Sequence, residues 1–140
     1  DKALRAALAG TFTVVVDDEA DVRAGMEALL TEWSCPVLSA NSGSDAVTKL
    51  QRHERTPDLI VSDYQLQGNE TGLDAIRSIR ESLQQTVPAI LITGDARPER
   101  LRDAKTHGLK LLIKPVEPSA LQAAMAEVLA APQEHVTPTV

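Results

Sequence analysis

Apolar residues follow two alternating rhythms along this chain. Short hydrophobic runs, each cut off by polar residues, cover Phe12–Val16, Val37–Ala40, Leu59–Val61, Ala89–Ile92 and Leu109–Ile113. A strand covered by helices on both faces reads as such a run, because neither face meets water. Between the runs the period lengthens. Val22, Met26, Leu29, Leu30 and Trp33 fall at helical spacing, as do Ala46, Val47 and Leu50, then Leu73, Ile76, Ile79 and Leu83, and finally Leu121, Ala124, Met125, Val128 and Leu129. Punctuation agrees with this division. Cys35-Pro36 ends the first helix, Ser42 is placed to cap the second, and Thr71 with Asp74 resembles a capping box for the third. Pro98 opens a helix reaching about His107, where Gly108 stops it, and Pro118 opens the last.

Five strands alternating with five helices predict right-handed βαβ units and a doubly wound α/β fold on a parallel sheet. One domain is expected over residues 11–131. Residues 1–10, alanine-rich and without a strand signal, read as a linker or the end of a preceding helix. From Pro132 to Val140 the periodicity stops, which predicts a disordered tail.

Composition narrows the function classes. A chain of 140 residues with 43% hydrophobic and 24% charged residues can bury one real core. A net charge of −6 argues against a generic nucleic-acid or anionic-membrane surface. No run approaches the roughly 20 apolar residues that span a bilayer, and no signal peptide opens the sequence, so a cytoplasmic location is expected. The single Cys35 excludes an internal disulfide and reads as a buried structural residue. His53, His107 and His135 lack partners at metal-ligand spacing and read as solvated.

The chemistry lies where the apolar runs end. In a parallel sheet all five runs point the same way, so the residues after them share one rim, where doubly wound folds bind ligands. That rim would receive Asp17 and Asp18, Asp63, Thr93 and Lys114. Three carboxylates so placed repel by several kcal/mol per pair at a moderate dielectric, and a cation among them relieves it. An all-oxygen set with few protein ligands suits Mg²⁺, completed by waters and phosphate oxygens. A strand-end carboxylate beside such an ion is a possible nucleophile toward phosphorus, with Lys114 and Thr93 as donors to the phosphoryl oxygens.

These residues, Asp17-Asp18, Asp63, Thr93-Gly94 and Lys114-Pro115 at the ends of the first, third, fourth and fifth strands, resemble the receiver domain of bacterial two-component signalling. The resemblance covers about residues 12–130. It implies a flavodoxin-like five-stranded sheet in the order 2-1-3-4-5 and a cis Lys114-Pro115 bond. It also implies a phosphoryl group passed from a phosphohistidine to Asp63, with self-catalysed phosphorylation and dephosphorylation. Mg²⁺ would be held by Asp18, Asp63 and the backbone carbonyl of Gln65, with Asp17 orienting a bound water. Lys114 would pair with the phosphoryl group, and Thr93 would be the switch hydroxyl. The implied partner is a histidine kinase or a histidine phosphotransfer domain, with no role for nucleic acid or membrane.

Two positions depart from the pattern. Leu111 stands where receivers commonly carry an aromatic, and Gln67 where a proline is usual. Both resemble a receiver fused at the C-terminus of a hybrid sensor histidine kinase. Without a ring at Leu111, phosphorylation is expected to alter the loops around Asp63 and Thr93 more than residues 98–130. Two other classes stay open. A degenerate receiver would serve only as a protein-interaction module. A small aspartyl-phosphate phosphatase would want a second acid two residues after Asp63, where Gln65 stands.

Overall fold

A computed structural model describes residues 2–131. The tail from Pro132, including His135, lies outside the described residues. Eleven elements follow one another: α1 (Lys2–Leu8), β1 (Thr13–Val16), α2 (Ala20–Glu32), β2 (Val37–Ala40), α3 (Gly43–Gln51), β3 (Leu59–Asp63), α4 (Gly72–Leu83), β4 (Ala89–Thr93), α5 (Pro98–Thr106), β5 (Lys110–Ile113) and α6 (Pro118–Ala130). The strands form one five-stranded parallel sheet in the order β2-β1-β3-β4-β5. This is the expected doubly wound architecture, with six helices among the described residues in place of five.

The sheet divides two apolar layers, and alternation along each strand feeds both. Val14 and Val16 of β1, Ile60 of β3, and Ala89 and Leu91 of β4 join the layer of α3, α4 and α5. Val15, Leu59, Val61, Ile90 and Ile92 join the opposite layer, with Leu30 and Trp33 of α2 and Leu121, Ala124 and Met125 of α6. Cys35 is buried in this second layer, where its thiol donates to the Leu8 carbonyl at 3.3 Å.

The sixth helix is α1. Alanine-rich residues favour helix, and this one packs against α6 with Leu8 only 2% exposed. Arg5 Nη2 donates to the Glu32 carbonyl at 3.3 Å. Residues 2–8 are thus seated on the domain, not loose ahead of it.

Val22 departs from its expected place. Helical spacing puts it on the inner stripe of α2, yet it is 39% exposed. A cleft of about 240 Å³ opens there, lined by Val22, Gly25, Met26, Leu29 and Val116. His53 is exposed as expected, but its ring stacks on Phe12 with centroids 4.6 Å apart. No helix among the described residues is long and apolar enough to cross a membrane.

Candidate functional site

The parallel register carries β1, β3, β4 and β5 to one rim. Asp17 follows β1, Asp63 ends β3, Thr93 ends β4 and Lys114 follows β5. Asp63 pairs across the sheet with Ile92, and Thr93 with Ile113, so the polar residues arrive nearly level. All the residues expected at the rim are brought together, and all but the buried Asp17 border an open pocket of about 580 Å³. Asp18, Asp63, Gln65, Thr93 and Lys114 line it, joined by Glu19 and Asp95.

Carboxylate oxygens of Asp17, Asp18 and Asp63 lie within 4.8 Å of one another. Asp17 is buried, and its Oδ1 accepts from the Glu19 backbone N–H at 2.9 Å. Lys114 Nζ stands 3.1 Å from Asp63 Oδ1. Burial pushes the carboxyls of Asp17 and Asp63 above their ordinary range, and for Asp63 the bond to Lys114 offsets only part of that rise. Burial disfavours the charge on Lys114, but its bond to Asp63 and the fields of Asp63, Asp17 and Glu19 outweigh this and raise it. The lysine is therefore firmly cationic, while Asp17 and Asp63 are held in an environment that resists their negative charge. Hard, all-oxygen donors at this separation fit a small divalent cation that keeps part of its water shell.

The acceptor position is built by its neighbours. Tyr64 N–H donates to the Ile92 carbonyl at 2.7 Å, and Gly72 N–H donates to the Tyr64 carbonyl at 2.7 Å. A Cβ on Gly72 would collide with the Asp63 carbonyl oxygen and with Leu91. Thr71 then caps α4 in a capping box with Asp74, each side chain accepting from the other's backbone N–H. The loop between Asp63 and α4 carries no proline, and a different contact holds it. Glu70 accepts from Gly43 N–H at 3.1 Å, which ties the loop to the start of α3.

Thr93 Oγ1 accepts from Asp95 N–H at 3.0 Å, so its proton is free to donate into the pocket. Asp95, half-buried at the rim, is gripped by Arg97 through Nε and Nη2, which holds its carboxyl down at about 2. The Lys114-Pro115 bond is cis. The sequence pattern pointed to the strand-end residues but missed Gly72, Glu70 and Asp95. Their only signals were a glycine beside a helix cap and polar residues in the loops that follow Asp63 and Thr93.

A family model described as "Response regulator receiver domain" matches residues 13–126. The transcriptional regulatory protein ZraR of Escherichia coli strain K12 is 32% identical over 120 residues, covering 84% of this chain and 26% of that protein. The CAI-1 autoinducer sensor kinase/phosphatase CqsS of Vibrio cholerae is 32% identical over 111 residues, covering 77% of this chain and 16% of that protein. The chain thus spans only a minor part of these relatives. Among solved structures, the chemotaxis protein CheY4 of Vibrio cholerae superposes with a TM-score of 0.74 at 26% identity, covering 86% of this chain and 99% of that one. The PhyR response regulator receiver domain of Erythrobacter litoralis gives 0.72 at 25% identity, covering 96% and 98%.

Proposed function

The chain belongs to the response regulator receiver family of two-component signalling, and from that premise we propose that Asp63 is its phosphoacceptor and that Lys114 and Thr93 serve the transfer. The observation that carries this is the contact of Lys114 Nζ with Asp63 Oδ1 at 3.1 Å, inside a pocket where three carboxylates converge. Lys114 occupies one oxygen of the acceptor and leaves the other to attack. That oxygen forms the new O–P bond as the P–N bond of a phosphohistidine breaks, and the electron pair returns to the imidazole nitrogen. Nζ can follow the negative charge from carboxylate to phosphoryl oxygen. The Thr93 hydroxyl, whose oxygen accepts from Asp95 N–H, donates its proton to a second phosphoryl oxygen.

Asp17, Asp18, Asp63 and the Gln65 carbonyl would hold Mg²⁺, which when bound supplies positive charge against the phosphoryl oxygens and the acid cluster. Asp17 would orient a bound water. The donor is a histidine kinase or a histidine phosphotransfer domain in the cytoplasm. The domain itself covers residues 11–131. We place it in a hybrid sensor kinase chain because Leu111 and the proline-free loop resemble that class, and a sensor kinase is among the relatives. A DNA-binding output domain in the flanking sequence would overturn that placement.

Incubation with acetyl phosphate and Mg²⁺ should add one phosphoryl group by intact mass, absent in Asp63→Ala. An unmodified wild-type mass, together with no beryllofluoride binding, would instead favour a pure interaction module. Gln65 has no carboxyl to act as acid or base beside the acceptor, which argues against the phosphatase alternative.

A further inference from the structure

The residue beside the acceptor is fastened to a helix that touches none of the proposed chemistry. Tyr64 follows Asp63 directly and is 3% exposed, and its hydroxyl donates to Asp103 Oδ2 on α5 at 2.6 Å. The guanidinium of Arg100, one helical turn earlier on α5, lies 4.4 Å from the centre of the Tyr64 ring. A cation over an aromatic face is attracted by the ring quadrupole. The same Arg100 approaches Asp95, with Nε 3.5 Å from Oδ2. Asp95 in turn donates its backbone N–H to Thr93 Oγ1 and borders the acceptor pocket. The contacts close a circuit: Asp63 to Tyr64 along the backbone, Tyr64 to α5 by its phenol and ring, and α5 back to the pocket through Arg100, Asp95 and Thr93.

We propose that the latch formed by Tyr64 with Asp103 and Arg100 couples the phosphorylation state of Asp63 to the position of α5. The inference rests on the acceptor role proposed above for Asp63. Phosphorylation replaces the single charge of the Asp63 carboxylate with a phosphoryl group carrying about −1.5 to −2, in a pocket that Asp95 already lines. The Thr93 hydroxyl is the donor within that pocket, and reorienting it disturbs the Asp95 N–H bond it now accepts. Asp95 and its pairing with Arg97 and Arg100 then readjust. Arg100 is free to readjust, because its buried Nε makes no hydrogen bond and meets Asp95 only at the ion-pair distance of 3.5 Å. When Arg100 moves, it leaves the ring that it covers. Leu111 on β5 offers no ring for such coupling, and Tyr64 supplies one from the residue just after β3. The response therefore includes α5, contrary to the expectation drawn from Leu111 alone, and spares α6, which has no part in the circuit.

The test is amide exchange with and without beryllofluoride and Mg²⁺, on wild type, Tyr64→Phe and Asp103→Asn. Wild type should change its exchange at residues 98–106 as well as around Asp63. Both variants should still be phosphorylated at Asp63 by intact mass and still respond around Asp63, but lose most of the change at 98–106. An α5 response equal to wild type in both variants, or a wild-type response confined to the loops, overturns the latch and leaves the acceptor role standing. No response anywhere in the wild type, with no phosphorylation by intact mass, overturns the acceptor role and the latch with it.

Discussion

Gly72 has no side chain because the Asp63 carbonyl occupies the space where one would start. Substitution by alanine forces either the acceptor strand end or the first turn of α4 to give way. Overpacking of this kind costs roughly 1–3 kcal/mol. The expected result for Gly72→Ala is a lower melting temperature together with slower acetyl-phosphate labelling. Normal labelling at reduced stability would show that the collision is absorbed by α4 and not by the acceptor. At this scale the strand-end residues were legible, since an apolar run announces its own last position. Tyr64 was not, because its partner Asp103 lies 39 residues away, and a side-chain contact at that range leaves no periodic trace.

Among the elements, strands were easier to read than helix faces. A run such as Ala89–Ile92 is apolar throughout because both sides of β4 are covered. The spacing of Val22 correctly announces a helix, but it cannot show that Val22 borders an open cleft and stays 39% exposed. The helical state of residues 2–8 was only half visible, since alanine-rich sequence is compatible with helix without saying what it packs on. Its seat on α6 depends on Leu8 entering the same apolar layer as Met125 and Trp33. Leu8→Ala should therefore destabilise the whole domain by about 2–4 kcal/mol, seen as a lower midpoint in urea with an unchanged slope. An unshifted midpoint would mean that α1 contributes nothing to folding.

For the whole molecule, the acid cluster sets a dependence on pH and metal. Burial raises Asp17 and Asp63 above the ordinary carboxylate range, so the folded state keeps their protons longer than the unfolded state does. Their contribution to stability is full below the ordinary carboxylate pKa and is lost as pH rises through the raised values. Metal-free protein should therefore be destabilised by these two acids at neutral pH, and Asp63→Asn should melt higher than wild type in chelator. Mg²⁺ should reverse the loss, because it binds only the folded cluster. At tenfold over its Kd the gain is about 1.4 kcal/mol, or roughly 3–5 °C for a domain of this size. Asp18→Asn should abolish most of it. Superimposed melting curves with Mg²⁺ and with chelator would rule out the site.

The chain contains one tyrosine and one tryptophan, and the sheet lies between them. Tyr64 sits in the layer of α3, α4 and α5, and Trp33 in the layer of α1, α2 and α6. The molecule is therefore colour-coded by face, with a separate ultraviolet signature on each side of the sheet. Because neighbouring residues such as Val14 and Val15 belong to opposite layers, neither face can dissolve while the strands hold the other. Thermal transitions followed by the two chromophores should coincide. Beryllofluoride should disturb the tyrosine band beside the acceptor and leave the tryptophan emission on the far face unchanged.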